Sequence, residues 1–349
     1  MTHELLGPAA RRVPPQARTR IGITMTDHIT VPTHETGALT GPVVSMAPVA
    51  FPSEGRLAEL QVRVTAPMTE QTLPVVVLSH GHGPSQYASS LYGYASLANH
   101  LAASGFAVLQ PTHLDSMTLG LRGADVPEAP LYWRSRAHDV SRVLDHLDVL
   151  AGVLPTVASR LDVTNVAVVG HSMGGHTAGM VLGSRPRDPA TGRQVLARDE
   201  RIRAGVMMAA PGRGGDALTP HAHHHYPILR DTDFSDMLAP TLVIAGDQDH
   251  ARHLNVVGAA WQTDAYRLAP GPKFLLDVHG GEHSLGGVAG YEVAETTDED
   301  LPRAAMVMRM TAAFLRTQLG LDLRAWAREV DQLAGNFADM ATATASEKD

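Results

Sequence analysis

Ser172 lies in Val168-Val169-Gly170-His171-Ser172-Met173-Gly174-Gly175, a serine framed by glycines directly behind an apolar run. A serine hydroxyl is a poor nucleophile until an imidazole takes its proton, and that imidazole must be held by a carboxylate. Both groups occur further along the chain. Asp247 and Asp249 follow the apolar run Thr241–Ala245, and His279 and His283 follow Phe274–Val278. The expected roles are Ser172 as nucleophile, His283 as general base and Asp249 as orienting acid, with Asp247 and His279 as rivals. His279 sits at the end of its run, whereas His283 belongs to a Gly-rich loop, Gly280-Gly281-Glu282-His283-Ser284, that is free to reach a serine. Acyl transfer also needs N–H donors aimed at the developing oxyanion. The backbone N–H of Met173 is one candidate, and that of His82, in His80-Gly81-His82-Gly83, is the other.

These residues need a scaffold that brings them to one edge. G-x-S-x-G is the sharp turn from a strand into a helix that lifts a serine above a sheet, with glycines where the helix must approach closely. The bare pattern is short enough to arise by chance, so its surroundings decide. Val75–Leu78, Phe106–Leu109, Val166–Val169, Val206–Ala210, Thr241–Ala245 and Phe274–Val278 read as short buried strands. Helical patterns fall between them at Ser89–Ala103, Tyr132–Leu150, Gly174–Leu182 and Asn255–Leu268, and a last one opens at Pro302 and stops at Gly320. Val43–Phe51 and Leu60–Val64 resemble an antiparallel hairpin ahead of this alternation. Strand–helix alternation predicts an α/β fold with a mostly parallel central sheet covered by helices on both faces. In such a sheet the loops at the carboxyl ends of the strands form the ligand crevice. Ser172, Asp249, His283 and the 80–83 turn all fall on such loops.

With Ser79-His80-Gly81-His82-Gly83 and Gly170-His171-Ser172-Met173-Gly174-Gly175 in this order, the chain resembles the α/β-hydrolase superfamily over roughly residues 60–320. Within it, the wording is similar to the branch of dienelactone hydrolases, platelet-activating-factor acetylhydrolases and chlorophyllases. The resemblance implies a Ser-Asp-His triad at Ser172, Asp249 and His283, no metal or other cofactor, and hydrolysis of small carboxylic esters through an acyl-enzyme. The cysteine nucleophile of dienelactone hydrolases is absent, and Met173 stands where chlorophyllases usually carry arginine.

Composition narrows the field. In 349 residues, 44% are hydrophobic and 18% charged, enough to build a large core. The net charge of −8, with Arg as nearly all of the cations, argues against nucleic acid as a partner. With no cysteine, thiol catalysis, Cys-held zinc, iron–sulfur clusters and disulfides are excluded. No run reaches the roughly 18 apolar residues of a membrane span, and no signal-peptide core is visible, so a cytoplasmic protein is the default expectation.

The expected organisation is a flexible lead-in over 1–25 and a hydrolase domain over 26–320, with a lid or cap at about 211–238. A C-terminal amphipathic helix over 321–340, packed back on the domain or used in a homodimer, precedes a disordered tail at 341–349. His221, His223, His224 and His225 raise metal-dependent hydrolysis as a competing reading, and a ligand-binding protein without turnover is another. Amide or lactone hydrolysis would use the same residues as ester hydrolysis. His113 and Asp115 are expected at the pocket border or the surface. Arg134, Arg136 and Arg142 are expected on an exposed helix face. The acidic residues Glu292, Glu295, Asp298, Glu299 and Asp300 read as a solvated loop whose last members favour the following helix N-terminus.

Overall fold

Apolar runs without polar interruption become strands buried on both faces, and the computed structural model, which describes residues 42–290 and 293–346, places them so. Val43–Phe51 (β1) and Leu60–Pro67 (β2) form the expected hairpin, followed by Leu73–Ser79 (β3), helix Ala95–Ala103 (α1) and Ala107–Pro111 (β4). Then come Trp133–Asp145 (α2), Leu161–His171 (β5), Met173–Leu182 (α3), Ile202–Met208 (β6) and Pro220–His225 (α4). Thr241–Gly246 (β7), Asp264–Leu268 (α5), Lys273–Val278 (β8), Leu301–Gln318 (α6), Ala325–Asn336 (α7) and Ala341–Ser346 (β9) follow; short helices at Val149–Val153 and Pro155–Ala158 and a separate two-residue strand pair, Arg185–Pro186 with Thr232–Asp233, lie between these main elements.

One nine-stranded sheet runs β1-β2-β4-β3-β5-β6-β7-β8-β9. Its centre, from β4 through β8, is parallel, and the hairpin and β9 are antiparallel edges. Successive side chains of a strand point to opposite faces, which gives two cores. Val75, Val77, Val166 and Val168 pack with Ala137 and Val140 of α2 and Ala178 and Val181 of α3. Val76, Leu78, Ala167 and Val169 pack with Leu97 and Leu101 of α1 and Met306, Met310 and Phe314 of α6. Because β3, β5, β7 and β8 are parallel, the loops leaving their carboxyl ends share one edge of the sheet. Among the described residues, no helix is long and apolar enough to cross a membrane.

Several boundaries differ from the sequence expectation. The helix expected from Ser89 begins only at Ala95, because Tyr94 takes a left-handed conformation (φ 58°) and the preceding residues form turns. The expected Asn255–Leu268 helix is a 3₁₀ segment, Gly258–Thr263, followed by α5, with Gly258 at φ 78° breaking any longer helix. The tail expected to be disordered from 341 instead pairs along the whole of β8, from Lys273↔Ser346 to Val278↔Ala341. An edge strand needs only backbone hydrogen bonds from its neighbour, so small side chains suffice. The amphipathic helix appears as α7, with Trp326 packed edge-on against Phe274 and Phe314 at 5.6 and 5.8 Å. Pro211–Leu238 folds as short turns and α4, anchored by buried Leu218, Ala222, Ile228, Leu229, Phe234 and Met237. The lead-in expected over 1–25 lies outside the described residues, as does Glu292.

Candidate active site

The turn from β5 into α3 holds Ser172 at φ 56°, ψ −121°, a conformation that L-residues rarely adopt. Close packing enforces it. A Cβ on Gly170 would strike the Gly174 carbonyl, and one on Gly174 would strike the Ser79 carbonyl. The Ser172 N–H donates to the Met208 carbonyl at 2.8 Å, tying the turn to β6.

Two loops converge on the serine. After β7, Asp249 is buried at 3% exposure, and its main-chain carbonyl accepts from Gln262 Nε2 at 3.1 Å. After β8, His283 lies between the two groups: Nδ1 is 2.8 Å from Asp249 Oδ2, and Nε2 is 2.9 Å from Ser172 Oγ. With a carboxylate accepting at Nδ1–H, Nε2 is left to accept the serine proton. Enclosure alone would lower the His283 pKa, but the hydrogen bond and charge of Asp249, with Asp298 adding, raise it above the ordinary histidine value.

The rivals are occupied elsewhere. Asp247 Oδ1 accepts from the Gly280 N–H at 2.8 Å. His279 lies 3.2 Å from the Asp339 carbonyl through Nδ1 and 3.1 Å from Thr342 Oγ1 through Nε2, at the β9 edge.

The acidic stretch does more than line solvent. Asp300 caps α6 by accepting from the Arg303 N–H at 2.9 Å, as expected. Asp298 Oδ2, however, accepts from the N–H groups of Glu282 and Gly286 at 2.8 and 3.0 Å, bracketing His283. Glu295 Oε1 accepts from the Ser85 N–H at 2.7 Å, and its carbonyl accepts from Ser284 Oγ at 3.0 Å. One stretch thus braces both the His283 loop and the 80–85 turn.

The 80–83 turn rests on buried charge. A Cβ on Gly81 would lie 3.3 Å from Ser172 Cβ, so this turn runs directly over the serine. Asp115, expected at a pocket border or the surface, is fully buried; it pairs with Arg136 and accepts from His82 Nδ1 at 2.7 Å. Burial would raise the Asp115 pKa, but Arg136 and His82 hold it below the usual carboxylate range.

Arg136, expected on an exposed face, is also fully buried and donates to the His80 carbonyl and to Thr177 Oγ1. A charge can be buried when paired and hydrogen-bonded on all sides, and Arg136 shares the i, i+4, i+7 stripe of Val140 and Val143. His113, equally buried, joins Ser79 Oγ at 2.8 Å to Asp139 Oδ2 at 3.0 Å. Arg122 completes the frame by donating to the Gly83 carbonyl at 2.8 Å. Arg134, by contrast, stacks on Trp133 and pairs with Asp188 at 3.0 Å, while Arg142 reaches the exposed Glu54 carbonyl at 3.2 Å.

A cavity of about 630 Å³ opens over Ser172 and His283. Leu131, Met173, Pro211, Tyr226 and Leu229 supply apolar wall, and His82, His250 and His253 supply polar wall. His221 and His225 stack 4.4 Å apart on exposed α4.

Residues 35–185 match the family model described as Chlorophyllase, a span that includes the 80–83 turn and Ser172 and ends before Asp249 and His283. The chain is an α/β-fold carboxylic ester hydrolase. None of the curated proteins matches it. In this hydrolase the part beyond the matched span, residues 186 onward, carries the two loops that meet Ser172 and the Pro211, Tyr226 and Leu229 side of the cavity.

Proposed function

We propose that this hydrolase cleaves its ester through Ser172 as nucleophile, His283 as general base and Asp249 as the carboxylate that orients the base. The supporting observation is the continuous hydrogen-bonded line Asp249–His283–Ser172, with 2.8 and 2.9 Å links. Ser172 Oγ attacks the carbonyl carbon while its proton passes to His283 Nε2. The negative oxygen of the tetrahedral intermediate takes hydrogen bonds from the N–H groups of Met173 and His82. His283 then gives its proton to the departing alkoxide, leaving an alcohol and an acyl-serine. Water, deprotonated by the same nitrogen, attacks the acyl carbon and restores Ser172.

The 211–238 segment serves as a cap on one side of the cavity, through Tyr226 and Leu229, and Leu131 closes the other. Apolar side chains on these walls favour an ester with an apolar acyl or alcohol group.

Intact-mass spectrometry after a fluorophosphonate tests the nucleophile. Wild type is expected to gain one adduct and Ser172→Ala none. An unmodified wild type, or an equally modified Ser172→Ala, would remove Ser172 from the mechanism.

A further inference from the structure

Between the 80–83 turn and the His283 loop lies a set of hydrogen bonds in which every donor and acceptor is fixed. The His283 carbonyl can only accept, so His171 Nε2, 2.7 Å away, carries a proton. Burial, with the neighbouring His283 adding, pushes the His171 pKa down to about 3, which keeps the ring neutral and leaves Nδ1 bare. The Tyr94 hydroxyl, 2.8 Å from Nδ1, must then donate to it. That hydroxyl oxygen in turn accepts from the Gly81 N–H at 3.1 Å. The line runs one way: Gly81 N–H to Tyr94 Oη–H to His171 Nδ1, and His171 Nε2–H to the His283 carbonyl. It starts one residue before His82, passes through the residue before Ser172 and ends on the base residue itself.

We infer that Tyr94 and His171 are positioning residues for ester hydrolysis, a relay that holds the His82 N–H and the His283 ring in register with Ser172. This rests on the roles proposed above for those residues. Tyr94 keeps its proton and His171 gains none, because burial chiefly raises the pKa of the first and lowers that of the second. Their contribution is geometric. An oxyanion donor acts mainly in the transition state, so a misplaced one lowers kcat and leaves ground-state binding alone.

Tyr94→Phe keeps the buried ring and removes only the hydroxyl, leaving the Gly81 N–H and His171 Nδ1 without their partner. On a short p-nitrophenyl ester, kcat should fall about tenfold to a hundredfold, less than for deleting a donor outright. KM should stay within about twofold, because ground-state binding is untouched. His171→Ala should fall similarly, and the double variant no further than the worse single one, since both cut the same line. His171→Gln, which retains one donor and one acceptor, should recover part of the loss.

Wild-type kcat in Tyr94→Phe, additive losses in the double variant, or a loss that follows a lowered Tm would overturn the relay. Fluorophosphonate labelling of the wild type separates the two ideas. A labelled wild type with a fully active Tyr94→Phe sinks the relay alone, whereas an unlabelled wild type sinks the assignment on which it rests.

Discussion

His283 is the residue whose electrostatics can be read in a rate. As the proposed base it would accept a proton only while Nε2 is bare, and Asp249 raises its pKa above the ordinary value of about 6.5. The kcat/KM profile should therefore lose activity on the acid side with an apparent pKa above that value. Asp249→Asn removes the charge that favours imidazolium, so its acid limb should move to lower pH, on a rate reduced by about 10³-fold or more. A limb that does not move would count against Asp249 as the partner.

The rival histidine gives a second check. His283→Ala should abolish turnover of p-nitrophenyl esters, whereas His279→Ala should leave kcat within about twofold, because both ring nitrogens of His279 face Asp339 and Thr342 beside the β9 edge. At this scale the sequence was informative where spacing is local: G-x-S-x-G and the loops after Thr241–Ala245 and Phe274–Val278 pointed to Ser172, Asp249 and His283, three side chains that lie within hydrogen-bond distance of one another in a line. It was silent where a partner lies far along the chain. Nothing near Arg136 announces Asp115, 21 residues away, or the His80 carbonyl. Likewise nothing in the acidic stretch announces that Asp298 would reach back to Glu282.

Among elements, the turn from β5 to α3 has the least room. Gly174→Ala would force α3 away from the Ser79 carbonyl, so thermal denaturation should show a loss of about 1–3 kcal/mol, as overpacking usually costs. Activity should fall with it, because Ser172 and Met173 move together. A Gly174→Ala protein with wild-type Tm and kcat would mean that the turn relaxes without effect.

The β9 edge offers the opposite case. Removing residues 341–349 bares the β8 edge next to the His283 loop, but that loop is braced by Asp298 and Ser284 rather than by β9. The shortened protein should melt lower and associate with rising concentration, as exposed edges do, while each folded molecule keeps its kcat. Size-exclusion chromatography and a melt would check this. The strands were legible because apolar runs buried on both faces need no context. The edge strand Ala341–Ser346 was not, because its small, alternating Ala and Thr side chains bury little and its order comes from β8.

For the molecule as a whole, the buried neutral histidines set a direction with pH. Burial first, and neighbouring charge second, pushes His113 and His176 down to about 4, His171 to about 3 and His80 well below its ordinary value. In the unfolded chain each would take up a proton near pH 6.5. Between that pH and about 4 the unfolded state therefore binds more protons, and stability, fully present above about 6.5, is lost as pH falls. Each unit of separation is worth up to about 1.4 kcal/mol per group, so Tm should drop steadily from pH 7 to 5. A flat Tm over that range would mean these rings are not held neutral.

The backbone at Ser172 adds a different consequence at this scale. Its left-handed φ of 56° stores strain of order 1–3 kcal/mol, which alanine would retain and glycine would release. Ser172→Gly should thus melt above Ser172→Ala, while on the proposed mechanism neither turns over ester. If so, stability and the proposed catalysis favour different residues at this position, and drift of the lineage toward a sturdier chain would begin by discarding the proposed nucleophile.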